Sequence, residues 1–154
     1  MTQPSEVAPF QITSQPLDPA PLVALVGSPS HGAIVTFAGV ARDNFADRAS
    51  AYLEYEAYPE MAELVLAQLA AEARERFAIG AVAIHHRIGV VRIGETAVLI
   101  AVGSAHREAA FAAAAFLMDR IKQVVPIWKC EHWVDGGAEW VGLEDMRKAQ
   151  AGIG

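Results

Sequence analysis

The alternation of apolar and polar positions divides the chain into an ordered series of short elements. Six of the eight prolines fall before position 30, so the first thirty residues read as largely extended, with one short strand near Phe10 to Thr13. Asp18, followed by a proline at the first helical position, predicts a brief helix from Pro19 to about Val26. Gly32 to Val40 reads as a buried strand, and the polar stretch Arg42 to Ser50 as a loop long enough to move. Between Ala51 and Ala57, Tyr52, Glu54 and Glu56 alternate with Leu53, Tyr55 and Ala57, which is the period of a half-buried strand. Met61, Leu64, Val65, Leu69 and Phe77 then share one face of a helix that starts at about Pro59 and stops near Gly80.

Strands follow at Ala81 to Arg87 and at Thr96 to Gly103. Ser104 is positioned to cap a helix from Ala105 to about Val124, because Val125 precedes Pro126 and is pushed out of helical geometry. Ile127 to Val134 is a last strand, and the Gly-rich, then charged, segment from Asp135 reads as loosely attached. This order predicts an α+β domain with two main helices packed on a mainly antiparallel sheet. A chain of 154 residues, 53% hydrophobic, suits a single domain over residues 1–154, with residues 1–9 and about 142–154 loosely attached.

The net charge of -6 argues against nucleic-acid binding, which needs a broad basic face, so any anion site must be local. The longest apolar run, Ala109 to Met118, is about half of the roughly 20 residues that span a bilayer, and Glu108 and Asp119 bracket it. No membrane segment is predicted. The start, Met-Thr-Gln-Pro-Ser-Glu, has neither a basic region nor an apolar signal core, and the single Cys130 cannot form an internal disulfide, so a reducing cytoplasm is expected.

Candidate chemistry gathers around the lysines. The chain has only three, and two of them, Lys122 and Lys129, lie on either side of Pro126. An arginine stays protonated, whereas a desolvated lysine can lose its proton and act as base or nucleophile, so the pair suits an anionic or carbonyl-bearing substrate. Alternatively, the two are solvated charges favoured at a helix end by the macrodipole.

His106 and Arg107 sit in the first turn of the second long helix, where cations oppose the dipole unless an anion lies between them. Arg42 opens the polar loop directly after a strand, a common place for a ligand-gripping arginine. His85 and His86 are consecutive in a strand and point to opposite faces, which disfavours shared metal ligation and predicts one in the core and one in solvent. No metal site is expected. Lys129 beside Cys130 is a possible cause of a lowered thiol pKa, but strand neighbours face apart, so Cys130 reads as structural. Trp128, Trp133 and Trp140 read as core or interface residues, and His31 carries no clear signal.

Four runs, Gly-Ala-Ile-Val-Thr-Phe-Ala-Gly at 32–39, His-Arg-Ile-Gly at 86–89, Ser-Ala-His-Arg at 104–107 and Pro-Ile-Trp-Lys at 126–129, occur in this order. Together they resemble the large, catalytic subunit of molybdopterin synthase, and the similarity covers about residues 10–141. The resemblance implies an α/β-hammerhead fold and no resident cofactor. It also implies conversion of cyclic pyranopterin monophosphate into molybdopterin by addition of two sulfurs. The sulfur would come from a thiocarboxylate on the C-terminal Gly-Gly of a small ubiquitin-like subunit. Two such subunits would sit at opposite ends of a homodimer, a heterotetramer overall.

Carried over residue by residue, the resemblance makes Lys122 and Lys129 catalytic and gives the anion grip to Arg42, His106 and Arg107. It further implies substrate contacts along Val40, Ala41 and Arg42, and along Lys129, Cys130 and Glu131. Cys130, Glu139 and Val40 stand where members of the family often have basic residues. Arg107 and Lys122, 15 residues apart on one predicted helix, are separated by roughly 22 Å of helix axis. His106 and Arg107 of one chain are therefore expected to face Arg42, Lys122 and Lys129 of a neighbouring copy. Two rivals remain from the residues alone. One is a non-catalytic ferredoxin-like module that binds a small anion and regulates a partner. The other is a transferase using Cys130 as nucleophile, which lacks a well-placed histidine.

Overall fold

The computed structural model describes residues 7–141. In chain order its elements are β1 (Phe10–Thr13), α1 (Pro19–Val26), β2 (Ala33–Val40), β3 (Asn44–Phe45), β4 (Arg48–Ala57), α2 (Pro59–Arg76), β5 (Ala81–Arg87), β6 (Gly89–Arg92), β7 (Thr96–Ser104), α3 (Arg107–Val124), β8 (Ile127–Trp133) and β9 (Ala138–Trp140). The architecture is α+β, as the order of elements implied. One sheet runs β1-β5-β7-β2, parallel only between β1 and β5. In the other, β4 lies between β6 and β8, with β3 and β9 completing the antiparallel pairings.

Strand period decides where the core forms. β7 is apolar on both faces: Val98, Ile100 and Val102 pack under α2 and α3, while Leu99 and Ala101 meet Leu22 and Val26 of α1. The sheet is thus covered by α2 and α3 on one side and by α1 on the other. Leu66, Ile84, Ile100 and Leu117 are fully buried in the larger cluster, each contributing about 1.5–3 kcal/mol of transfer free energy. α1 begins as expected, with the Asp18 carboxylate accepting from Ala20 N at 3.0 Å.

Several expectations need correction. The buried face of α2 is Ala62, Leu66, Leu69, Ala70 and Ala73, whereas Met61 and Leu64 are 58% and 60% exposed. Small residues let α2 seat closely against the sheet and α3, and the larger side chains turn outward. β2 is an edge strand whose Ile34, Phe37 and Val40 are exposed, not a buried one. Ser104 does not cap α3: it ends β7, its hydroxyl donates to the His106 carbonyl, and the helix starts one residue after His106.

The polar stretch after Arg42 is an ordered hairpin whose tip residues, Ala46 and Asp47, have φ of 50° and 65°, the left-handed pair that suits a two-residue turn. Both His85 and His86 are buried, since α1 and the chain before β1 cover the face expected to meet solvent. His85 Nε2 lies 2.7 Å from the Ala8 carbonyl, and Pro9 O accepts from Ile84 N, so residues 8 and 9 are attached. Downstream, β9 pairs with β8 and Arg48 bonds Asp135 at 2.9 Å, which ties the segment expected to be loose. Residues 1–6 and 142–154 lie outside the described residues.

Candidate active site

Pro126 is responsible for the geometry of the site. It stops α3 at Val124, Val125 N still bonds the Ile121 carbonyl, and the chain turns at once into β8. Lys122 in the last turn of α3 and Lys129 in β8 are thereby brought to one pocket of about 500 Å³. On β8 the alternate residues Ile127, Lys129 and Glu131 line it, opposite Tyr55 and Leu53 of β4. Arg42 enters from the end of β2, after a register shift between Gly39 and Val40. Phe37, Val40, Phe45 and Met118 supply apolar wall, and His86 polar wall.

Glu131 is 2% exposed and fully engaged. Ser50 Oγ donates to its Oε2 at 2.7 Å, and Lys129 Nζ lies 3.4 Å from its Oε1. The Lys129 amine also stands over the Phe45 ring, 4.6 Å from the centroid. A carboxylate held by Ser50 and an aromatic face therefore fix the amine. Burial, with Glu131 nearby, pushes the Tyr55 phenol up to about 12, so it stays protonated. Burial pushes the His86 imidazole down to about 4. Neither Arg42 nor Lys122 has an ion-pair partner among the described residues. Free cations in a concave, partly apolar site suit an anionic substrate.

Of the residues singled out in the sequence, Val40, Arg42, Lys122, Lys129 and Glu131 share this pocket. Ala41 and Cys130 do not line it. Ala41 packs with Leu53, Val91 and Ala97, and Cys130 is buried on the opposite side of β8. Burial, then the charges of Glu54, Glu131 and Glu56, raises the Cys130 thiol above its ordinary value, the reverse of the lowering that Lys129 suggested. His106 and Arg107 are exposed at the far end of α3.

Phe37, Tyr55, His86 and Met118 were not recognised as site residues. Met118 lies one helical turn before Lys122, and His86 follows the inward parity of Val82 and Ile84, so helix and strand periods carried both signals. Among the described residues no group of three or more His, Cys, Asp or Glu is placed to hold a metal. None of the described helices is long and apolar enough to cross a membrane.

A family model described as MoaE protein matches residues 12–124. The molybdopterin synthase catalytic subunit of Bacillus subtilis (strain 168) is 47% identical over 133 residues, 86% of this chain and 84% of the relative. The crystal structure of molybdopterin synthase from Staphylococcus aureus matches with a TM-score of 0.84 and 40% identity, covering 88% of this chain and 98% of that one. A chain from the complex of subunits 1 and 2 of molybdopterin-converting factor from Helicobacter pylori 26695 shares the fold, with a TM-score of 0.69 at 19% identity. The match over most of the chain, with relatives this similar, shows that the protein belongs to the MoaE family of molybdopterin synthase catalytic subunits.

Proposed function

We propose that this chain transfers sulfur, in the cytoplasm, from the C-terminal thiocarboxylate of a small ubiquitin-like subunit to cyclic pyranopterin monophosphate, building the dithiolene of molybdopterin. The observation that carries this reading is the convergence of Arg42, Lys122 and Lys129, from three separate segments, on one pocket. Sulfur transfer leaves negative charge on the acyl group, and opening of the cyclic phosphate leaves an anion. Cations fixed in a partly dry site stabilise both. Lys122, exposed on the rim, is assigned to the incoming thiocarboxylate. Lys129, held by Glu131 and Phe45, is assigned to proton transfer or to holding the pterin.

Arg42 binds the substrate phosphate together with His106 and Arg107. Arg107 and Lys122 share α3, and roughly 22 Å of axis separates them, so His106 and Arg107 act from a neighbouring subunit of a symmetric homodimer. Phe111, one turn after Arg107, is 61% exposed, and β2 exposes Ile34, Phe37 and Val40. Such apolar surface beside the anion-gripping residues suits burial against a second copy.

The test is to mix the chain with a thiocarboxylated small subunit and cyclic pyranopterin monophosphate and assay the dithiolene product. Product formation is expected; none, with folded partners, would sink the reading. A small subunit lacking its Gly-Gly tail is expected to bind much more weakly by calorimetry, since only glycine lets a backbone pass closely through a narrow channel.

A further inference from the structure

His86 is a buried polar side chain on the pocket wall to which the chemistry above gives no task. Strand parity sets it after Val82 and Ile84 on the face of β5 that α2 and α3 cover, and it is 5% exposed. The Tyr55 ring meets it edge-on, with centroids 5.0 Å apart. Its Nδ1 lies 2.8 Å from the Arg87 carbonyl, the ring's only hydrogen bond among the described residues. A carbonyl only accepts, so Nδ1 carries the proton and Nε2 offers a bare lone pair. Burial keeps the ring neutral at ordinary pH.

This lone pair matters because of what surrounds it. Arg42, Lys122 and Lys129 are donors only. Glu131 accepts too, with Ser50 and Lys129 each on one of its oxygens, and the Asn44 amide and the Tyr55 phenol bring further oxygens to the lining. The pocket can therefore hold the phosphate of a substrate with its cations, yet a ring N–H buried there needs an acceptor that those cations do not supply. A buried donor left unpaired costs about 1–3 kcal/mol, so a neutral, buried acceptor whose direction is fixed by the Nδ1 bond to the Arg87 carbonyl discriminates between ring systems.

We propose that His86 Nε2 accepts a hydrogen bond from an amino or amide N–H on the heteroaromatic ring of the substrate, making His86 a determinant of ring specificity. The proposal rests on the pterin reading above, whose substrate carries such groups on its pyrimidinone edge. His86 does not touch the transferred sulfur in this scheme; it selects and orients the ring while the cations grip the anion.

The test compares His86→Phe, which keeps the ring volume but has no acceptor, with His86→Gln, whose amide oxygen reaches about the position of Nε2. Calorimetry on the full-length protein measures binding of cyclic pyranopterin monophosphate and, separately, of inorganic phosphate. The expected result is about tenfold weaker pterin binding by His86→Phe, unchanged phosphate binding, and substantial recovery in His86→Gln. Pterin binding by His86→Phe within about twofold of the parent would overturn the proposal. So would equal losses in both variants with phosphate binding also impaired, the mark of a packing role alone. Should His86→Phe not fold, His86→Leu against His86→Gln makes the same comparison. If the parent binds phosphate but not the pterin, the pterin reading itself falls, and the two failures are told apart.

Discussion

Lys129 and Cys130 are neighbours in sequence with opposite environments, because consecutive residues of β8 face opposite ways. Lys129 reaches the pocket and touches Glu131, whereas Cys130 is buried on the other side with its thiol pKa raised. Lys122→Ala and Lys129→Ala are therefore expected to reduce sulfur transfer by roughly a hundredfold or more with the fold retained. Cys130→Ser is expected to cost about 1–2 kcal/mol of stability and leave turnover largely intact. Steady-state rates beside denaturant melts decide it, and a Cys130→Ser loss as large as those of the lysine variants would revive the thiol as nucleophile. His86 gives a pH signature. Its folded pKa, about 4, lies below the ordinary value of 6.5, so the unfolded state binds the proton more readily. The associated stability is complete above about pH 6.5 and is lost as pH falls toward 4, a change of up to about 3 kcal/mol. Urea melts across that window are expected to show a flatter acid limb for His86→Phe than for the parent, and superimposable limbs would contradict it. The lysines and Arg42 were legible as lone basic residues beside structural breaks. For His86, strand parity carried only the inward direction, not that the covered face opens there into a cavity.

At the level of elements, a strong local signal made a segment legible, and a choice between surfaces left it ambiguous. Asp18 before two prolines marks α1, and Pro126 marks the end of α3. α2 was legible as a helix but not in its buried face, because its seat against α3 is made largely of alanines, which a search for large apolar side chains overlooks. His31, featureless in the sequence, ties α1 to the central sheet. Its Nδ1 lies 2.8 Å from the Val26 carbonyl, and its ring lies against Gly80 and Gly103, where a Cβ would collide with it. At Gly103 an added Cβ would also strike the backbone oxygen of Val26, which has little room to retreat. Gly103→Ala is thus expected to destabilise the protein by about 1–3 kcal/mol, visible as a Tm lowered by several degrees, with ring-specific pterin binding retained. An unchanged Tm would mean that α1 shifts freely and does not clamp the sheet.

The scale of the whole molecule is where sequence patterns say least and where the site acquires its meaning. The α+β class followed from the order of elements, but the pairing of β4 with both β6 and β8, and of β1 with β5, depends on contacts distant in sequence. The β4–β8 pairing forms one wall of the pocket around Lys122 and Lys129, while His106 and Arg107 are exposed at the opposite end of α3. A small substrate does not bridge roughly 22 Å of helix, so within one chain the two cation clusters are separate. In a symmetric dimer, each pocket can instead receive His106 and Arg107 from the other copy, which makes two equivalent composite sites. Arg107→Ala and Lys122→Ala are then each inactive as homodimers, but for different reasons. In a mixed dimer, one pocket carries both lesions and the other carries neither. Mixing the two variants under conditions that exchange subunits is therefore expected to recover activity in proportion to the heterodimer, up to about half the parental rate per mixed dimer. Native mass spectrometry reports the exchange, and the dithiolene assay reports the activity. A confirmed heterodimer with no recovery would mean that each site is built within a single chain, and the phosphate grip would then have to come from Arg42 and the pocket lysines alone.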